Sequence, residues 1–118
     1  MNQQQSFGYN AEAFVVSFLQ KRNFVILEQN YKKFYGEIDI IAQKDDFIVF
    51  VEVKARRNTY VSLFSLVSPS KQRKIMQVAH EYIMRNASKQ ITYRFDVALL
   101  QSDATNGLQL SYIANAFC

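Results

Sequence analysis

Apolar positions recur at two periods along the chain, and the change between them divides it into elements. Ala11, Phe14, Val15, Phe18 and Leu19 follow the helical period, so residues 9–21 are expected to form an amphipathic helix, with polar residues 1–6 frayed before it and Asn23 ending it. Phe24-Val25-Ile26-Leu27 reads as a short buried strand leading into a loop at residues 29–33. Between Gly36 and Arg57 lie two strongly β-prone runs, containing Ile40, Ile41, Ile48, Val49, Phe50, Val51 and Val53. The spacing predicts an antiparallel hairpin closed at Lys44-Asp45-Asp46-Phe47, although Asp-Asp is not the favoured tight-turn pair. Residues 55–60 form a basic exit, and 61–67 are ambiguous between strand and loop.

Ser68-Pro69-Ser70 then reads as a helix start, with Ser68 as cap and Pro69 in the first turn. A helix over 69–87 would bury Ile75, Val78, Ala79, Tyr82 and Ile83 and turn Arg73, Lys74, Gln77 and Arg85 outward, with Asn86-Ala87-Ser88 closing it. A strand is expected over 91–100, with Phe95, Val97 and Leu99 on one face and Arg94, Asp96, Ala98 and Leu100 on the other. A turn at 102–107 and an edge strand at 108–113 complete the order αβββαββ. That order places helices on the faces of one mixed sheet, an α/β fold.

Composition narrows the class. A chain of 118 residues with 49% hydrophobic and 14% aromatic residues is expected to make one domain over residues 1–118 with its own core. The one cysteine, Cys118, cannot close an internal disulfide, and the first ten residues lack the basic and apolar regions of a secretory signal. A reducing cytoplasm is the expected setting, and no apolar run is long enough to span a membrane. The net charge of +4 is mild, but it is concentrated: Lys71, Arg73, Lys74, Arg85, Lys89 and Arg94 stand against Glu81 alone. Such a stretch suits a polyanion. His80, the single histidine, is expected at a solvated or core-edge position.

The candidate chemistry lies in the hairpin. Alternation puts Glu37 and Asp39 on one face of the first run, and Glu52 and Lys54 on one face of the second. An even-numbered loop then sets Asp39 opposite Glu52, and Glu37 opposite Lys54. Facing carboxylates repel unless a cation sits between them, and a hard divalent ion such as Mg²⁺ or Mn²⁺ would meet that need. In this arrangement Asp39 and Glu52 hold the metal, helped by the Val53 carbonyl. Lys54 positions or deprotonates water, and Glu12, at the edge of the first helix's apolar stripe, completes the shell through water. The same spacing also fits an ion-pair ladder of Glu37, Asp39, Glu52 and Lys54 on a solvated sheet face, with Glu12 as a first-turn helix glutamate.

Asp39, twelve residues, then Glu52-Val53-Lys54 resembles the D…(D/E)xK signature of restriction-endonuclease-like nucleases. The archaeal Holliday-junction resolvases among them also carry a glutamate on the first helix, as Glu12 does here. A wider set of matches runs through Gly8 to Ala13, Asn30-Tyr31, Gly36-Glu37-Ile38-Asp39, Val51 to Lys54, Lys71, Ala79, Arg94-Phe95-Asp96-Val97 and Asn115-Ala116-Phe117. These residues resemble the YraN-type family of small bacterial proteins. Ala11 stands where that family usually has glycine, and Lys32 where arginine is common. The resemblance implies a restriction-endonuclease-like fold in a cytoplasmic bacterial protein, with nuclease activity presumed from the fold.

The expected activity is therefore metal-dependent hydrolysis of DNA phosphodiesters, branched or junction DNA included. Asp39, Glu52, Lys54 and Glu12 form the expected catalytic set. Arg56, Arg57, Lys71, Arg73 and Lys74 are expected to contact phosphates, which position a duplex without reading its sequence. RNA shares the same phosphate chemistry, and a homodimer would present two sites to one substrate. The alternative is a non-catalytic nucleic-acid-binding or interaction module on the same fold.

Overall fold

A computed structural model describes residues 3–57, 66–86, 91–103 and 107–117, with side chains from residue 11 onward except at position 103. The elements are α1 (Gln3–Lys21), β1 (Val25–Lys33), β2 (Gly36–Lys44), β3 (Phe47–Arg57), α2 (Pro69–Asn86), β4 (Thr92–Asp103) and β5 (Gly107–Phe117). This is the predicted order αβββαββ. The five strands form one sheet in sequence order, antiparallel except for the parallel pair β3 and β4. Most expected bounds were short. Helix α1 starts at Gln3, and β1 continues through Lys33, where a loop was expected. The ambiguous stretch at 61–65, the turn at 104–106, the helix end at 87–88 and Cys118 lie outside the described residues.

Each helix covers one face of the sheet. Val15 and Leu19 of α1 pack on Ile40, Ala42, Val49, Val51 and Ala98. Ile75, Val78, Ala79 and Tyr82 of α2 pack on Ile41, Ile48, Phe50, Val97 and Leu99. Strand alternation sends neighbouring residues of β3 and β4 to opposite helices, which is why residues 48–51 and 97–100 are apolar without a break. Phe14, expected in the α1 stripe, is instead exposed.

Local rules fix both helices at the ends that matter. Asn23 takes a left-handed conformation (φ 71°), and its N–H donates to Gln20 O while Phe24 N–H reaches Leu19 O, both at 3.0 Å. This is a Schellman closure with asparagine in the usual glycine position. At the start of α2, Ser68 Oγ accepts from Lys71 N–H at 3.2 Å, with Pro69 as the first helical residue, as predicted. Gly36 lets α2 approach closely: a Cβ there would lie 3.3 Å from Val78 Cγ2 and 3.4 Å from Lys74 Cβ. Lys74 and Val78 of α2 are thereby set against the start of β2.

Candidate active site

The β2–β3 hairpin has the register predicted from its even-numbered loop. Its ladder runs from Lys44↔Phe47 to Ile40↔Val51, around a two-residue turn in which Asp45 takes φ 54°. Aspartate tolerates that conformation, and Gln43 Nε2 donates to Asp45 O at 3.2 Å. One further step in this register brings Asp39 level with Glu52. Here a side chain takes over from the ladder: Val53 N–H donates to Asp39 Oδ2 at 2.8 Å. The alternation of β2 is also broken nearby, because Ile38 and Ile41 pack toward α2 while Ile40 packs toward α1.

Glu52 is 5% exposed, and a carboxylate so deep needs compensation. Two lysines supply it at the same oxygen: Lys54 Nζ lies 3.3 Å and Lys71 Nζ 3.2 Å from Glu52 Oε1. Asp39 has no such partner among the ion pairs of the described residues. Burial, and then the Glu52 charge, push its carboxyl up to about 7, against the opposing pull of the Val53 N–H. Burial and contact with Lys71 hold the Lys54 amine below the usual lysine value. Burial also acts to lower Lys71, but its contact with Lys54 and the Glu52 charge outweigh this and raise it. The cluster thus holds two lysines that share one carboxylate oxygen and act on each other's protonation.

Glu12 approaches from α1 and is half-buried. Its carboxyl is raised by burial, and further by Glu37 and Glu52, while a hydrogen bond from the Asn30 side chain opposes the rise. Asn30 is itself left-handed (φ 52°), an irregular point in β1. Glu37 is exposed and pairs with Lys32 in the β1–β2 ladder. The expected acids therefore gather within electrostatic reach of each other. Among the described residues, however, no group of three or more His, Cys, Asp or Glu side chains is arranged to hold a metal ion. Asp39 and Glu52 are the residues that would hold a divalent ion; burial, and then the Glu52 charge, already disfavour ionisation of Asp39 there. Mg²⁺ completes such small protein ligand sets with water.

The expected phosphate-contacting residues separate into two groups. Lys71 belongs to the acid cluster, a role its position in the sequence did not reveal; the only local signal was its place in the first turn after Ser68-Pro69. Arg73 and Lys74 are exposed and line a groove beside α2. Arg56 and Arg57 leave β3 just beyond Lys54, with Arg56 Nη1 donating to Ala55 O at 2.8 Å. His80 is exposed, as expected for a solvated position.

Asp96 lies on the other face. It is 0% exposed, and Arg94 grips it through Nε to Oδ1 at 2.9 Å and Nη2 to Oδ2 at 3.0 Å. Tyr112 Oη and Asn115 N–H also donate to it. Hydrogen bonding to Asp96 raises Arg94 above its ordinary value, and burial together with Asp96 raises the Tyr112 hydroxyl. Asp96 is a structural acid.

A family profile described as "Uncharacterised protein family UPF0102" matches residues 11–100, a span that takes in Glu12, Asp39, Glu52, Lys54 and Lys71. The chain is 42% identical over 112 residues to a UPF0102 protein of Dictyoglomus thermophilum, covering 93% of this chain and 95% of the relative. A UPF0102 protein of Geotalea daltonii is 40% identical over 118 residues, covering 98% and 92%. One from Treponema pallidum is 41% identical over 98 residues, covering 81% and 78%. The chain belongs to the UPF0102 family, the YraN-type family that its sequence resembles.

Proposed function

We propose that the protein is a metal-dependent endonuclease acting on DNA phosphodiesters, with Asp39, Glu52, Lys54 and Lys71 at its centre. The observation that carries this is the carboxylate pair at the end of the β2–β3 ladder, with both lysines on a single Glu52 oxygen and none on Asp39. Asp39 and Glu52, with the Val53 carbonyl, would hold Mg²⁺ or Mn²⁺, which when bound polarises a phosphodiester and lowers the pKa of water. Lys54, beside Glu52 on the same strand, accepts the proton of the attacking water. Lys71, reaching in from α2, offsets negative charge developing on the phosphate. Glu12 orients water at the α1 side, and Arg56, Arg57, Arg73 and Lys74 hold the flanking phosphates.

A second reading, a non-catalytic nucleic-acid-binding module, is favoured by the lack of a three-ligand cluster among the described residues. Incubating purified protein with branched, nicked and linear DNA in Mg²⁺ or Mn²⁺ separates the two. The nuclease reading expects cleavage by the wild type and a loss of at least about a hundredfold in Asp39→Asn and Lys54→Met. Equal cleavage by wild type and both variants would assign the activity to a contaminant. Binding without any cleavage would favour the module.

A further inference from the structure

The β1–β2 turn carries an aromatic side chain that the fold leaves unused. Phe34 is 100% exposed, in a turn that glycine, asparagine, aspartate or serine would close at least as well. Tyr35 packs edge-on against it with ring centroids 5.0 Å apart. The Tyr35 hydroxyl donates to Glu81 of α2 at 2.8 Å, and Glu81 also pairs with Lys33 at 3.0 Å and Arg85 at 3.3 Å. Hydrogen bonds from Lys33 and Tyr35 hold the Glu81 carboxyl below its ordinary value, so it stays ionised, with Lys33 and Arg85 matching its charge. Tyr35 is braced against the helix, and Phe34 stands against its ring as an exposed platform.

A groove of about 930 Å³ lies beside that platform, along the outer side of α2, with Tyr35, Ser70, Arg73, Lys74, His80 and Met84 among its lining residues. Its Ser70 end is one residue from Lys71, whose ammonium rests on Glu52. From Ser70 to Met84 the helix rises roughly 20 Å, room for several nucleotides of an extended strand. Arg73 and Lys74 are exposed along it, and Met84 adds an apolar surface that is 67% exposed. Cations that track a backbone, interleaved with an aromatic face on which a base can stack, are what a single strand requires. A closed duplex offers its phosphates to the cations but no base face to Phe34.

We propose that Phe34 and the α2 groove bind an unpaired polynucleotide strand, with one base stacked on Phe34 and the backbone running past Arg73 and Lys74 toward the Asp39–Glu52 pair. This rests on the nuclease reading and adds the substrate class: nucleic acid with a single-stranded segment beside the cleaved bond. The test is fluorescence anisotropy without divalent metal, using the Asp39→Asn protein with labelled oligothymidylate and oligouridylate of about 15 nucleotides and a duplex of equal length. Phe34→Ala is expected to weaken binding of at least one single strand about tenfold, with Phe34→Tyr restoring it and duplex affinity changing less than twofold. The strand that shows the loss identifies the sugar, DNA or RNA. Unchanged single-strand binding, or an equal loss on the duplex, would overturn the proposal. So would a Phe34-dependent shift in sedimentation without loss of strand binding, which would give the platform to a second copy of the chain. Because the readout is binding, Phe34-dependent affinity in a protein that never cleaves would sink the catalytic reading alone. Cleavage by a protein whose binding ignores Phe34 would sink this proposal alone.

Discussion

The two faces of the sheet treat a buried carboxylate in opposite ways. Under α1, Asp96 has a bidentate arginine, a tyrosine hydroxyl and a main-chain N–H. Its charge is matched and its oxygens are occupied, which is how a protein buries an acid for structure. At the end of β2 and β3, Asp39 has the Val53 N–H and faces Glu52, and its proton is retained up to about 7 through burial and that repulsion. The lysines that would relieve it are both drawn to Glu52. Among the described residues, the two most buried acids, Asp96 and Glu52, are thus both matched by cations, while the partly buried Asp39 has only a main-chain N–H. Asp39 keeps a carboxyl raised by burial and by Glu52, and such perturbed groups concentrate at functional sites.

Substitutions should separate the two sites, and Asp96→Ala should give the largest effect. It leaves Arg94 without its anion and should cost about 3 kcal/mol in urea unfolding; a loss under about 1 kcal/mol would remove the contrast. Tyr112→Phe, which deletes a single donor to Asp96, should cost about 1.5 kcal/mol by the same measurement. Asp39→Asn should do the reverse. A carboxyl raised in the folded state binds more protons folded than unfolded between its ordinary value and about 7, so it lowers stability as pH rises through that window. In EDTA the variant should therefore be more stable than wild type by about 1 kcal/mol at pH 8, allowing for solvent screening, with the gain shrinking as pH falls from 7 toward 4. A gain that grew in acid would reverse the assignment. The smallest shift is expected for Glu52→Gln, within about 1 kcal/mol of wild type at pH 7, because two lost lysine pairings are offset by relief of Asp39. NMR titration of that variant should show the Asp39 carboxyl moving down.

Much of the Asp39–Glu52 arrangement was legible in the sequence, because strand alternation and an even-numbered loop determine which residues face each other. The α2 start was legible for a similar local reason: Ser68 and Pro69 act within one turn of themselves. The full length of β1 was not. A register shift between Ile26 and Glu28 and the left-handed Asn30 disrupt the alternation that would have extended it past Leu27. The sequence shows Lys71 only as one of several cations near the helix start, because nothing local reports which acid a helix's first turn will reach. That contact depends on how closely α2 approaches β2, which Gly36 permits. Asp96 was visible as an acid in an apolar run, but two of its partners sit on β5, beyond the reach of any pattern along β4.

If Asp39 and Glu52 are held together for a cation, calorimetric titration of Mn²⁺ into wild type and into Asp39→Asn will separate the two proteins. A saturable binding event is expected in the wild type and lost in the variant. Identical heats from the two proteins, whether both bind or neither does, would contradict a cation held by the pair.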